Sequence, residues 1–153
     1  MDAGVVPPQG VADRLRALRL ENVRGEETRL RILVIEHHTD TREALIALLE
    51  LWGHETVGAS TAGEALKAVA RFVPDVGVVA LPLPDMDGSR LAWMLGMRLE
   101  RRPFLIALSG SLGLVADGAR RLLAGFDRFL VKPAHPGDLQ HLLDRFARRR
   151  AVG

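Results

Sequence analysis

The chain contains no cysteine, which excludes disulfides and thiolate metal sites together. No apolar run reaches the roughly 18 residues that a membrane-spanning helix needs. The N-terminal MDAGVVPPQG lacks the basic-then-apolar order of an export signal. From these absences a cytoplasmic location is the expectation. Charge of one sign is scarce too: the formal net charge is +2 over 153 residues, a surplus too small to point to nucleic acid. Glycine-rich phosphate loops are also missing. Where dinucleotide-binding folds carry G-x-G-x-x-G after the first strand, and P-loop folds their glycine loop, this chain reads EHHTDT. Flavin-phosphate binding would prefer glycines and hydroxyls in the same loop, so all three classes are poor fits.

What is present is ordinary for a globular domain, with 48% hydrophobic and 26% charged residues. A domain of this length buries roughly two-thirds of its unfolded surface. Four uninterrupted apolar runs stand out: ILVI (32–35), VGVVAL (76–81), FLIAL (104–108) and FLV (129–131). Such runs suit strands covered on both faces, as in parallel sheets. HETVGA (54–59) is more polar and fits an edge strand. Between the runs lie helical patterns. Asp40 is placed to cap a helix whose Leu45, Leu48, Leu49 and Trp52 share one face, and Gly53 stops it. Thr61 and Glu64 form a capping box ahead of Ala65, Leu66 and Val69. Further helices are expected over 88–102, 113–124 and from about Pro136, the last burying Leu139, Leu142, Leu143 and Phe146. This alternation predicts an open α/β sheet with helices on both faces. Residues 1–30 read as an extension, a flexible tail plus a short helix over 11–24, with Arg14, Arg16, Arg19, Arg24 and Arg29 balanced by Asp2, Asp13, Glu21, Glu26 and Glu27. The domain itself is expected over 31–148, with 149–153 as a tail.

Open α/β sheets place their sites beyond the carboxyl ends of the strands. The residues to question are therefore Glu36-His37-His38, Ala80-Leu81, Ser109-Gly110 and Lys132-Pro133. With RILVIEHHTDTREALIALLELWGHE, PDVGVVALPLPDMDG, FLIALSG and GFDRFLVKP in this order and spacing, the stretch from about 31 to 148 resembles a response regulator receiver domain of two-component signalling. That resemblance implies a flavodoxin-like, five-stranded parallel sheet in the order 2-1-3-4-5. It also implies magnesium-dependent phosphoryl transfer from a histidine kinase to an aspartate at the end of strand three. Mapped onto this chain, the family's acidic pair falls on Glu36 and His37, and its phosphoacceptor on Ala80. Its hydroxyl falls on Ser109, its aromatic switch on Phe129, and its lysine and proline on Lys132 and Pro133.

Chemically, the departures matter. Magnesium prefers carboxylate oxygens, whereas imidazole suits softer metals. Ala80 has no oxygen with which to attack phosphorus. Neither a catalytic residue nor a metal or cofactor is therefore expected, and the magnesium site is expected to be lost. Lys132 then needs another partner, and Glu36 is the expected one. Asp87 reads as a helix cap, Asp85 as a solvated loop residue, and the adjacent His37 and His38 side chains as pointing opposite ways.

The expected function is that of a stand-alone, non-enzymatic pseudo-receiver acting by protein–protein contact. Its partner would be a histidine kinase, another signalling protein or a second copy. Within 88–102, Trp93 and Met97 point away from Leu91, Leu95 and Leu99, the kind of exposed pair that interfaces favour. Four arginines in RFARRR (145–150) read as a favourable match to a helix dipole. Two other readings stay open: a receiver phosphorylated at a non-standard residue, and a small-ligand sensor using a polar cavity beneath Ser109 and Lys132.

Overall fold

The computed structural model describes residues 28–110 and 124–152. Along them run β1 (Arg31–Ile35), α1 (Thr39–Leu51), β2 (Glu55–Ala59), α2 (Ala62–Ala68), β3 (Val76–Leu81), α3 (Gly88–Arg98), β4 (Phe104–Ser109), β5 (Arg128–Val131) and α4 (Pro136–Val152). The strands form one sheet in the order β2-β1-β3-β4-β5, and every neighbouring pair is parallel. The expected topology is thus observed, with β2 at an edge. The helix expected over 11–24 lies outside the described residues. So does the one over 113–124, apart from Ala124.

Strand side chains alternate between faces, so each apolar run feeds two cores. Leu33, Ile35, Val79, Leu81, Leu105 and Ala107 pack with Ala65 and Leu66 of α2 and with Leu91 and Leu95 of α3. Ile32, Val34, Val76, Val78, Ala80, Ile106 and Leu108 pack on the other side with Leu49 of α1 and with Leu139, Leu143 and Ala147 of α4. Burial of each Leu or Ile contributes about 1.5–3 kcal/mol, which explains why the central strands tolerate no polar interruption.

Several boundaries differ from the expectation. Asp40 is in the first turn of α1, and His38 holds the N-cap position without a side-chain cap bond. Helix α3 stops at Arg98, not 102, with Leu99 already extended. Pro103 disfavours helical geometry at the residue before it, and β4 must start at Phe104 to pair with Val76. Two details concern the ends of the described segment. Leu30 is 1% exposed and joins the core. Helix α4 runs through Arg149 and Arg150 to Val152, so 149–152 are helix and not tail.

The end of α1 follows a defined hydrogen-bond pattern. Gly53 has φ 95°, its N–H donates to the Glu50 carbonyl, and the N–H of His54 donates to the Leu49 carbonyl. This is the Schellman arrangement, for which glycine at that position is best suited. It turns His54 inward. His54 is 8% exposed, and its Nδ1 accepts from the Leu30 N–H at 3.1 Å. An accepting Nδ1 must be unprotonated. Burial lowers the pKa below the usual 6.5, partly opposed by the charge of Asp144.

The unfolded chain therefore takes up a proton at His54 before the folded chain does, and stability linked to this group is complete above the unfolded value. It is lost as pH falls from there toward the depressed folded value, at no more than about 1.4 kcal/mol per pH unit. Urea unfolding between about pH 7.5 and pH 5 should show this loss in the wild type, and His54→Asn, which keeps an acceptor but not the titration, should flatten the curve.

Candidate functional site

Parallel register gathers the strand ends. Ile35 lies opposite Val79, Ala80 opposite Leu108 and Leu81 opposite Ser109, and Ser109 opposite Val131. Glu36, Ala80, Ser109 and Lys132 consequently meet at one edge of the sheet. The Lys132 N–H donates to the Ser109 carbonyl at 2.7 Å, which fixes the lysine at the end of β5. Phe129 is partly buried against the α2/α3 core, while Pro133 is exposed.

The polar groups here are already engaged. Glu36, 5% exposed, accepts the His38 N–H on Oε2 at 3.0 Å. Lys132 Nζ donates to the Leu81 carbonyl at 3.2 Å, and no Glu36–Lys132 ion pair forms among the described residues. The expected partnership is thus replaced by one with the main chain, because Glu36 is turned toward its own loop. Arg42 closes that loop from α1, donating to the Glu36 carbonyl at 2.8 Å. His37 and His38 do not diverge: their rings approach with centroids 5.6 Å apart and a 54° tilt. The chain has left the strand by then, and His38 sits at the helix N-cap, so strand alternation no longer separates them.

As a magnesium cradle the donor set fits poorly. It comprises one carboxylate that is already hydrogen-bonded, an imidazole, and the methyl group of Ala80, 4% exposed in the α1/α4 core. A hard divalent ion wants oxygen ligands. Among the described residues no three His, Asp or Glu side chains converge.

Asp85 is exposed in its loop, as expected, and it has a structural role as well. It accepts the Ala62 N–H at 3.0 Å and the Gly63 N–H at 2.9 Å, adding to Thr61, which accepts the Glu64 N–H, at the start of α2. Desolvation works against its charge, yet the N–H groups of Gly63, Ala62 and Asp85 itself together outweigh that and hold its carboxyl below the usual value. Only tertiary contact could reveal this, since donors and acceptor are more than 20 residues apart in sequence. Asp87 does occupy the N-cap of α3, though without a side-chain bond.

Residues 32–144 match the model of the response regulator receiver domain. The chain belongs to that family. It is 32% identical over 126 residues to a probable transcriptional regulator of Guillardia theta, covering 82% of this chain and 46% of that protein. Against four of its curated relatives the chain spans between 24% and 52% of their length. A receiver domain from Methanospirillum hungatei JF-1 is 27% identical with a TM-score of 0.69, over 82% of this chain and 99% of that one. The receiver domain of a sensor histidine kinase from Pseudomonas aeruginosa PAO1, solved with magnesium coordinated in its active-site cleft, is 26% identical with a TM-score of 0.67, over 78% and 98% of the two chains. This receiver domain is therefore a component of two-component signalling. Among its described residues no helix is long and apolar enough to cross a membrane.

Asp85→Ala should lower unfolding stability by about 1 kcal/mol, the usual effect of losing a helix N-terminal acceptor. A shift in urea midpoint with unchanged slope is the expected readout, and Asp85→Asn, which keeps one acceptor, should lose less.

Proposed function

We propose that this receiver domain is a pseudo-receiver, working through phosphorylation-independent contact with a protein partner and not through an enzymatic step. The observation that supports this most is Ala80. At the position where the family resemblance puts the phosphoacceptor, the side chain is a methyl group packed in the core. Phosphoryl transfer depends on positioning and on neutralising the charge of the phosphoryl group. Here the nucleophilic oxygen and most of the carboxylate set are missing together. Glu36 holds the His38 N–H and Lys132 holds the Leu81 carbonyl, so the two remaining charged groups stabilise the resting loops. Receivers exchange between two states that phosphorylation biases. Without that trigger, a partner must set the balance by binding one state better.

For the contact itself, α3 offers Trp93 and Met97, 64% and 69% exposed, while Leu91 and Leu95 on the opposite side are fully buried. Beside the pair lies an apolar hollow of about 340 Å³, shared with Ala92, Gly96 and Gly125. A Trp and a Met around an apolar hollow form an anchor of the kind that dominates binding energy at interfaces. Neither described cavity is lined by Ser109 or Lys132, so the ligand-sensing reading gains no support at that edge.

Incubation with acetyl phosphate and magnesium, followed by intact-mass measurement, should show no phosphate on the wild type. The double variant His37→Asp, Ala80→Asp, which restores two carboxylates, should gain one. Phosphorylation of the wild type would overturn the proposal.

Trp93→Ala with Met97→Ala should abolish self-association in sedimentation, or capture of a partner identified by mass spectrometry, while leaving the melting temperature within a few degrees. An unchanged sedimentation profile together with unchanged partner capture would remove α3 from the interface.

A further inference from the structure

At the opposite edge of the sheet, where the strands begin, there is a cavity of about 440 Å³. Phe104 and Ser109 bound β4, so this cavity lies about 17 Å from the strand ends discussed above, at the usual rise per residue. Six arginines line it: Arg101, Arg102, Arg128, Arg145, Arg149 and Arg150. They come from three places in the fold: the turn before β4, the first residue of β5, and α4. Asp75 is the only acidic residue in the lining, which leaves an excess of five positive charges, or four if Asp127 behind Arg102 is counted.

Some of these arginines have structural work. Arg150 pairs with Asp75 at 2.6 Å, and Asp75 in turn accepts the Arg31 N–H at 2.8 Å. Arg102 pairs with Asp127 at 3.6 Å and donates to the Gly125 carbonyl. Arg128 donates to the Asp127 carbonyl at 2.7 Å. Arg101, Arg145 and Arg149 have no carboxylate within ion-pair distance among the described residues. A favourable match to the α4 dipole covers Arg149 and Arg150, which are in its last turn. It does not account for Arg101 or Arg128, which are on other elements, or for Arg145, more than a turn further back. Clefts lined by one sign of charge concentrate counter-ions of the other sign.

Part of the lining is apolar. Phe104 and Phe146 stack there with centroids 4.9 Å apart and planes 27° from parallel, and Leu142 lies beside them. Aromatic rings and guanidinium groups lining one cavity suit a ligand that is flat at one end and anionic at the other. Guanidinium groups pair with phosphate through two parallel hydrogen bonds. The volume falls within the roughly 300–1,000 Å³ usual for small-molecule sites. Inorganic phosphate would leave the aromatic lining uncovered, and an extended acidic peptide would call for an open groove. We infer that this cavity is a nucleotide-binding site, with the phosphates of a nucleoside diphosphate held by Arg101, Arg145 and Arg149 and its base over Phe104 and Phe146. The site is separate from the edge that carries Ala80, and it stands whether or not that edge accepts phosphate.

The test is calorimetric and NMR titration of the full chain with GDP and ADP, beside pyrophosphate, guanosine and poly-glutamate. At least one nucleotide should bind more tightly than pyrophosphate or guanosine, shift the amides of 101–104 and 142–150, and weaken as salt rises. Arg145→Ala with Arg149→Ala removes no ion pair among the described residues, so the fold should persist, and nucleotide affinity should fall about tenfold or more, as loss of charge-assisted pairs does. Failure of both nucleotides to bind would overturn the inference, as would binding indifferent to the two arginines. Pyrophosphate binding as tightly as either nucleotide would overturn the role of Phe104 and Phe146. Poly-glutamate binding more tightly than both would reassign the cavity to an acidic protein segment.

Discussion

The parallel register of the sheet is the constraint on which the rest of this structure depends. Because β1 pairs with both β2 and β3, and β3 with β4, all strands begin at one edge and end at the other. Parallel pairing requires a crossover after each strand, so the loops at the two edges are chemically independent. One edge collects Glu36, Ala80, Ser109 and Lys132. The other collects Asp75, Asp127 and the arginines.

The two aspartates at the starting edge show how the register is held. Asp75 precedes β3 and accepts the Arg31 N–H at the start of β1. Asp127 precedes β5 and accepts the Leu105 N–H in β4. Each carboxylate thus satisfies a main-chain donor of the neighbouring strand. Hydrogen bonds to charged acceptors contribute about 1.5–3 kcal/mol, and leaving such donors unpaired at a partly buried edge costs a comparable amount. The same two carboxylates restrain Arg150 and Arg102. Strand alignment and the arginine-lined cavity are thereby linked through shared side chains.

At the ending edge the scaffold of a receiver is present, with Ala80 where the family resemblance places the phosphoacceptor. Ser109 and Lys132 take the positions that register demands, and Glu36 is buried and hydrogen-bonded. Lys132 reaches a carbonyl where a carboxylate would be the stronger acceptor. Packing explains why the fold accommodates alanine there. Ala80 belongs to a continuous apolar face with Val76 and Val78, so a methyl group there removes a polar demand and opens no break in the core.

Much of this was legible in the residues alone. Uninterrupted apolar runs forced a doubly covered parallel sheet, Gly53 and the Thr61–Glu64 pair marked helix ends, and Ala80, Ser109 and Lys132 stood at their strand ends by spacing. These features are local, or repeat at a period that one strand or helix imposes. Other features needed the third dimension. His54 became a buried acceptor for Leu30, Asp85 the cap of a helix more than 20 residues earlier, and Arg101, Arg128 and Arg145 neighbours around one cavity. Their meaning lies in partners distant along the chain. Periodicity determines which face a residue takes, but only the closed packing of strands and helices decides what it meets there.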